Sequence, residues 1–560
     1  MKRSSTEKRK MLCQVLFFCI GILQPLFVFT QQTANQYETI ELSFESNLTY
    51  SNPYIDVDVK IRFTNDFNDT LWRPAFWDGM NGWKVRFSSP TKNDTWSWTS
   101  YCSDTTNRSL HGQVGTIHTA DSASSSLLAA NGTLKMSPGK RNLVFASGKP
   151  FLMVANTLWA SPFRATTMQI EKAAALLEYE GFNTVLLAVI QTDANATGPD
   201  ERNTEQGFKR AFRDLTTNHL NEINVSYFQY LDNIIRIYRS HGLVPVFAPL
   251  LHGYGWKGKQ SIGNSVQPDE YLRYMTYLLA RYGSEAAMWL LSVDGGGHGP
   301  GIEECGKMLE AMDCYHQPTG LHYSPCDDYV AGWAKDLENK DFYCLHENRT
   351  HQDANWLDFQ WAQTGHEGKH LYQKVNKMYD NLPVKAVADG EPTYEGMNGG
   401  EAGLGWWQGE DAWNQLVHGG TMGVAYGAAA LWQWKITPGE EGWETWTDQP
   451  KNWETALDME GSKYVGLISK ILQPYDLTDI ERRWDLVKDK PVLSNGKIWI
   501  CFLPKGSSVR FKKTFDNIEV TWIDPKTGHQ MNGKIIRFRK FKIPKGKPAV
   551  LVVQQKRSGI

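Results

Sequence analysis

Residues 288–297 read MWLLSVDGGG: an apolar run of strand length, one acid, then glycines. Seven more short apolar runs lie on either side of it, at 151–154, 184–189, 244–249, 321–323, 342–345, 384–387 and 424–426. Helical stretches separate them. Between the first two, Thr166 with Gln169 reads as a capping box, Ile170, Ala173, Ala174 and Leu177 share one apolar face, and Gly181 supplies the stop. That is a strand, helix, strand unit. Eight such strands over residues 141–460 predict a (β/α)8 TIM barrel, with a doubly wound sheet as the alternative.

The flanks obey a different period. Ile55, Val57, Val59, Ile61 and Phe63 alternate with Asp56, Asp58, Lys60 and Arg62, the pattern of a half-buried strand, and residues 31–122 read as an N-terminal β-sandwich. Small polar residues in 123–140 mark a linker. Beyond 461 the alternation returns at Val509 and Phe511, at Ile518, Val520 and Trp522, and at Leu551 and Val553, so residues 461–560 read as a C-terminal β-sandwich. The fold class is thus multidomain, a central barrel flanked by two β-sandwiches.

Composition narrows the partners. Over 560 residues, 59 Lys and Arg face 61 Asp and Glu, a net charge of -2 that lacks the basic excess a phosphate backbone demands, so no nucleic-acid partner is expected. Residues 1–30 combine a basic start with an apolar run at 11–29 and read as a cleaved signal peptide. The expected location is secreted, periplasmic or cell-surface, with no membrane span in the mature chain. Cys102, Cys305, Cys314, Cys326, Cys344 and Cys501 remain, with no zinc-like CxxC pair among them. Aromatics make up 12% of the chain, including 22 Trp, whose flat faces with a polar edge suit sugars.

Several motifs fail on inspection. In GIEECGKM (301–308), Met308 stands where a phosphate loop needs Ser or Thr. His346 and His351 are five apart, whereas zinc-protease histidines stand four apart on one helical face. No GxGxxG and no GxSxG is present. What survives is a pair of acids. Asp294 ends the fourth predicted strand and Glu391 lies just past the seventh, on the face where barrel chemistry occurs. Two carboxyls facing each other across a barrel mouth suit glycosidic cleavage. Asp389 shares strand parity with Glu391, and Glu395 lies four residues on, so both compete for its role. His252, His298, His322, His346 and His366 fall near strand ends, where imidazoles can meet sugar hydroxyls. Asn156, Trp159, Gln191, Tyr394, Tyr426 and Trp432 complete the expected substrate-binding set. No cofactor and no metal are expected.

SGKPFLMVANTLW (147–159), EGFNTVLLAVIQ (180–191), WLLSVDGGG (289–297), LDFQWAQTGH (357–366), ADGEPTYEG (388–396) and GGTMGVAYGAAALWQW (419–434) together resemble the apiosidase-like glycoside hydrolases of bacterial polysaccharide degraders. The resemblance extends to FWDGMNGWKVRFSSP (76–90) in the N-terminal sandwich and to VTWIDPKTG (520–528) in the C-terminal one. It implies a catalytic Asp at Asp294 and a catalytic Glu at Glu391. Two departures stand out: Ala155, Asn156, Thr157 replace the usual Gly-Asp-Thr, and Ser292, Val293 replace a usual Gly-Gly. The expectation is an exported, exo-acting, retaining glycoside hydrolase, with Asp294 as acid/base and Glu391 as nucleophile, acting on a plant or algal polysaccharide. The alternative is a non-catalytic carbohydrate-binding or adhesion protein on a barrel scaffold.

Overall fold

The computed structural model describes residues 32–121, 124, 126, 128–192, 210–252, 261–324, 349–439, 451–487, 490–506, 508–536, 539–543 and 546–556. Eight parallel strands close into a barrel: β1 (Met153–Thr157), β2 (Thr184–Ala188), β3 (Val244–Ala248), β4 (Met288–Gly295), β5 (Thr319–Tyr323), β6 (Phe359–Gln363), β7 (Ala386–Glu391) and β8 (Gly423–Tyr426). β8 pairs back onto β1, which leaves the wall without an edge. Around it lie α1 (Thr167–Glu180), α2 (Val225–Ser240), α3 (Pro268–Tyr282), α4 (Ile302–Met312), α5 (Gln373–Tyr379), α6 (Trp406–Val417) and α7 (Glu460–Leu472). The capping box on α1 forms as its sequence dictates: the Thr166 hydroxyl accepts from Gln169 N, and the Gln169 side chain accepts from Thr166 N. Gly181 closes the helix at φ 107°, where a Cβ would be strained.

The sixth strand differs from expectation. The run at 342–345 lies outside the described residues, and β6 is FQWAQ, whose glutamines break the apolar signal. Gln360 is fully buried because β5 and the loop before β6 satisfy its amide: Oε1 accepts from the Tyr323 hydroxyl at 2.6 Å, and Nε2 donates to Thr350 O at 3.0 Å. Two expected boundaries also shift. Leu134–Met136, inside the stretch read as a linker, is a strand pairing with Leu143–Phe145. α7, placed beyond the barrel by its sequence position, packs against α1, α6, β1 and β8 and covers the seam where the wall closes.

Two sheets enclose the N-terminal core of Ile61, Phe63, Val85, Phe87, Trp96 and Trp98. The C-terminal sheets likewise bury Trp499, Val509, Phe511, Trp522 and Phe541 between them. Buried ion pairs lock the first sandwich to the barrel. Asp232 of α2 accepts from Arg281 Nε and Nη2, both at 2.9 Å, and from Arg86 Nη2 at 2.7 Å, while Arg281 also meets Asp78 at 2.9 Å. Burial raises the Asp232 carboxyl, but Arg281 and Arg86 outweigh it and hold the group below its ordinary value. Asp232→Asn leaves two guanidiniums facing each other in a site that is nearly closed to solvent. The expected loss is about 3–5 kcal/mol in denaturant unfolding, whereas an effect under ~1 kcal/mol would show the pairs to be solvent-screened. Among the described residues no helix is long and apolar enough to cross a membrane.

Candidate functional site

Both acids stand where the barrel wall departs from regular pairing. In β7, Ala362 of β6 aligns with Asp389 and Gln363 aligns with Glu391, so Gly390 is an extra residue. A bulge of this kind re-aims side chains, and Asp389 and Glu391, two apart in sequence, take opposite faces. Gly390 is required there, since a Cβ would stand 2.5 Å from the Trp361 ring. β4 slips twice against β5, between Leu290 and Ser292 and between Ser292 and Gly295, and Asp294 adopts φ 59°. Left-handed backbone at a non-glycine residue is a strained choice that clusters at functional sites.

One carboxylate oxygen of Asp294, one of Glu391 and a ring nitrogen of His322 all lie within 4.8 Å of one another. His322 Nε2 is 3.4 Å from Glu391 Oε2, and His366 Nε2 is 3.2 Å from Glu391 Oε1. His366 Nδ1 accepts the Tyr394 backbone N–H at 3.3 Å, which leaves the proton on Nε2 to be donated to Glu391. The Tyr394 hydroxyl accepts from Trp159 Nε1 at 3.0 Å and also hydrogen-bonds Glu391. The Trp159 and His322 rings meet near-perpendicular with centroids 6.3 Å apart, and Trp432 lies 6.1 Å from the Tyr394 ring.

These surroundings split the two acids. Burial, and next the charge of Glu391, push the Asp294 carboxyl well above the ordinary carboxylate range, against a hydrogen bond from Gln363. Burial alone would raise Glu391 as well, but the His366 hydrogen bond, the nearby His322 and His366 rings and Tyr394 outweigh it and hold the group below its usual value. Asp294 therefore keeps a proton that Glu391 has lost. Burial depresses His322 to about 4, so its imidazole is neutral at pH 7. Asp294 Oδ1, Glu391 Oε2 and Gln363 Oε1 are enclosed without a hydrogen-bond partner, as groups waiting for a ligand would be.

The remaining expected residues divide. His366, His322, Tyr394, Trp159 and Trp432 join the acid pair. His252 does not: it is wedged beneath the glycine loop after β4, so that a Cβ on Gly299 would stand 2.4 Å from its ring, and burial lowers it to about 3. Tyr426 donates to Glu395 at 2.7 Å behind the wall, and Gly405 N and Gly461 N also donate to Glu395, which makes that acid a structural tie. Asn156 aligns with Tyr426 and Val185, and aligned residues of parallel strands share a face, so it too points behind the wall. Asp389 sits there, accepting from Thr364 Oγ1 at 2.7 Å; burial and Asp411 raise it to about 8. Gln191 Oε1 accepts from Ala211 N at 3.3 Å, and His298 is exposed, 5.7 Å from the His351 ring. His346 lies outside the described residues. Gln363, missed in the sequence, ends the strand whose position the apolar signal misplaced.

Asp294, His322 and Glu391 are also the described residues with donor atoms close enough to share a metal ion.

The family description "Apiosidase-like, catalytic domain" matches residues 137–479, and a domain of unknown function, DUF5060, matches 33–103. Comparison with curated proteins gave no match. Among solved structures, a Bacteroides vulgatus ATCC 8482 protein assigned to the glycoside hydrolases is 17% identical, covers 94% of this chain and 100% of its own, and has a TM-score of 0.67. A glycoside hydrolase family 5 protein of the same organism is 17% identical over 77% of this chain and 95% of its own, with a TM-score of 0.61. These likenesses show a shared fold. The family match is the stronger finding, because it spans more than half of the sequence and takes in every barrel strand, both acids and α7. The chain belongs to the apiosidase-like family and is a glycoside hydrolase.

Proposed function

We propose that the enzyme cleaves its glycosidic bond by retaining double displacement, with Asp294 as acid/base and Glu391 as nucleophile. The observation that supports this reading is the short gap: one oxygen of each acid lies within 4.8 Å of the other, which favours a nucleophile and acid about 5–5.5 Å apart over the about 6.5–9.5 Å of an inverting pair. In the first step Asp294 protonates the glycosidic oxygen as Glu391 attacks the anomeric carbon. In the second, Asp294, now ionised, takes a proton from water as that water displaces Glu391. His366 and Tyr394 hold the nucleophile charged, and Trp159 fixes Tyr394.

We further propose that the chain is exported, on the strength of the basic start and apolar run at residues 1–30, and that it removes sugars from the ends of a plant or algal polysaccharide. Release of reducing sugar from a panel of such polysaccharides, with product sizes resolved, tests this. Single sugars are expected, whereas internal fragments would overturn end-on action. Binding without turnover, unchanged in Asp294→Asn, would instead mark a carbohydrate-binding protein on a barrel scaffold.

Tyr394→Phe removes a donor to an ionised carboxylate, a bond worth about 1.5–3 kcal/mol. The kcat/KM is expected to fall about tenfold to a hundredfold. Its acid limb should move to higher pH, because Glu391 loses part of what lowers it. A fall in activity with an unmoved acid limb would place Tyr394 outside the control of Glu391.

A further inference from the structure

Charge is divided unevenly along the chain. Residues 491–560 hold 15 Lys and Arg against three Asp and Glu, while residues 31–490 hold 39 against 57. The near-neutral total hides a basic C-terminal sandwich attached to an acidic body. One sheet of that sandwich gathers the excess on a single face. Its strands Ser508–Arg510, Lys540–Lys542 and Lys534–Ile536 turn Val509 and Phe541 into the core. Strand alternation then directs Arg510, Lys540, Lys542 and Lys534 to the other side. Register sets like charges beside each other: Arg510 aligns with Lys540, and Lys542 with Lys534. Such cross-strand cation pairs weaken a sheet. Among the described residues none of the four has a carboxylate partner, and Arg510, Lys534 and Lys542 are exposed.

We infer that this face binds an acidic polysaccharide and tethers the barrel to it. The described aromatic rings from residue 491 on, Trp499, Phe502, Phe511, Phe515, Trp522 and Phe541, are all buried, and the half-exposed Trp484 before them already meets Arg482 at 4.5 Å and His418 at 5.4 Å. No ring among them is free to stack on a neutral sugar or to enter a lipid interface, so charge is what the face offers. The acidic body repels a polyanion, and attachment through the basic sandwich offsets that repulsion while raising the local concentration of chain ends at the barrel. The inference deepens the proposed function by naming the polymer, yet its readout is binding, so a chain without turnover leaves it standing or falling on its own.

Affinity electrophoresis of the full chain in gels containing polygalacturonate, carrageenan or galactomannan tests it, with the two acidic polymers separating carboxylate from sulfate recognition. Retardation is expected with an acidic polymer alone and should fall steeply with added salt. The variant carrying Arg510→Glu, Lys534→Glu, Lys540→Glu and Lys542→Glu should bind at least tenfold more weakly with an unchanged melting curve, and the corresponding Gln variant should be intermediate. Should the reversed variant misfold, the salt dependence of the native chain decides. Equal retardation by galactomannan, insensitivity to salt, or binding to phosphatidylglycerol vesicles without binding to either acidic polymer would overturn the inference. The vesicle arm is included because Ile535 and Ile536 are also exposed on the outermost strand.

Discussion

Glu391→Gln should abolish turnover, lowering kcat on the order of 10⁴-fold or more, the scale seen when a covalent nucleophile is removed. The amide keeps the shape of the side chain but neither attacks carbon nor carries charge. A second effect is independent of activity. The Glu391 charge is one of the causes that raise Asp294, so in the variant the Asp294 carboxyl should titrate at lower pH, as followed by carboxyl-carbon NMR. With Glu391→Ala, added azide should enter the vacated space and yield a glycosyl azide of inverted anomeric configuration. Normal turnover in either variant, or an unmoved Asp294 titration in Glu391→Gln, would remove Glu391 from the site chemistry.

Asp294→Asn should cost about 10²–10⁴-fold on substrates with poor leaving groups, the usual range for a general acid. Aryl glycosides, whose leaving oxygen needs no proton, should react in their first step almost as fast as with the native enzyme. The native pH profile should be a bell. Activity rises as Glu391 ionises below its ordinary value of 4.5 and falls as Asp294 ionises well above its ordinary 3.8. Asp294→Asn should lose the alkaline limb. Stability should shift the other way. A carboxyl whose folded-state pKa is raised stabilises the fold fully below its unfolded value and loses that contribution as pH rises through the folded one. At pH values above that folded pKa the native enzyme confines two like charges within 4.8 Å, and Asn removes one of them. The variant should therefore melt higher than the native enzyme at alkaline pH, by about 1–2 °C for each kcal/mol relieved in a unit of this size. Because Asn tolerates the left-handed φ of 59° at this position, the substitution adds no backbone strain. A lower melting temperature at alkaline pH would show that Asp294 is solvated rather than enclosed.

Much of this architecture was legible because apolar periodicity reports burial. Runs such as MWLLSV mark barrel strands wherever both faces of the wall are covered by apolar groups. The signal failed at β6, where Gln360 is buried and bonded by β5 and by the loop before β6, and Gln363 is buried beside Asp294, a long-range arrangement that local composition cannot express. Misplacing β6 concealed Gln363, the hydrogen-bond partner of Asp294. Parity failed in a different way. Asp389 and Glu391 look equivalent when counted along the strand, and only the bulge at Gly390 separates the acid that faces the barrel mouth from the one behind the wall. Asn156 and Tyr426, expected near substrate, lie behind the wall, and His252 lies beneath the glycine loop, because proximity to a strand end does not fix where a side chain points. The acid pair itself was recoverable because its members sit at strand ends, where the fold collects chemistry whatever the local register.

The most direct test of the pairing between Asp294 and Glu391 is ¹H NMR of the anomeric proton released in the first minutes of hydrolysis, before mutarotation, from a substrate identified in the polysaccharide panel. The short separation predicts a product that first appears with the anomeric configuration of the bond cleaved. First appearance of the opposite anomer would contradict it and show that water, not Glu391, attacks the sugar.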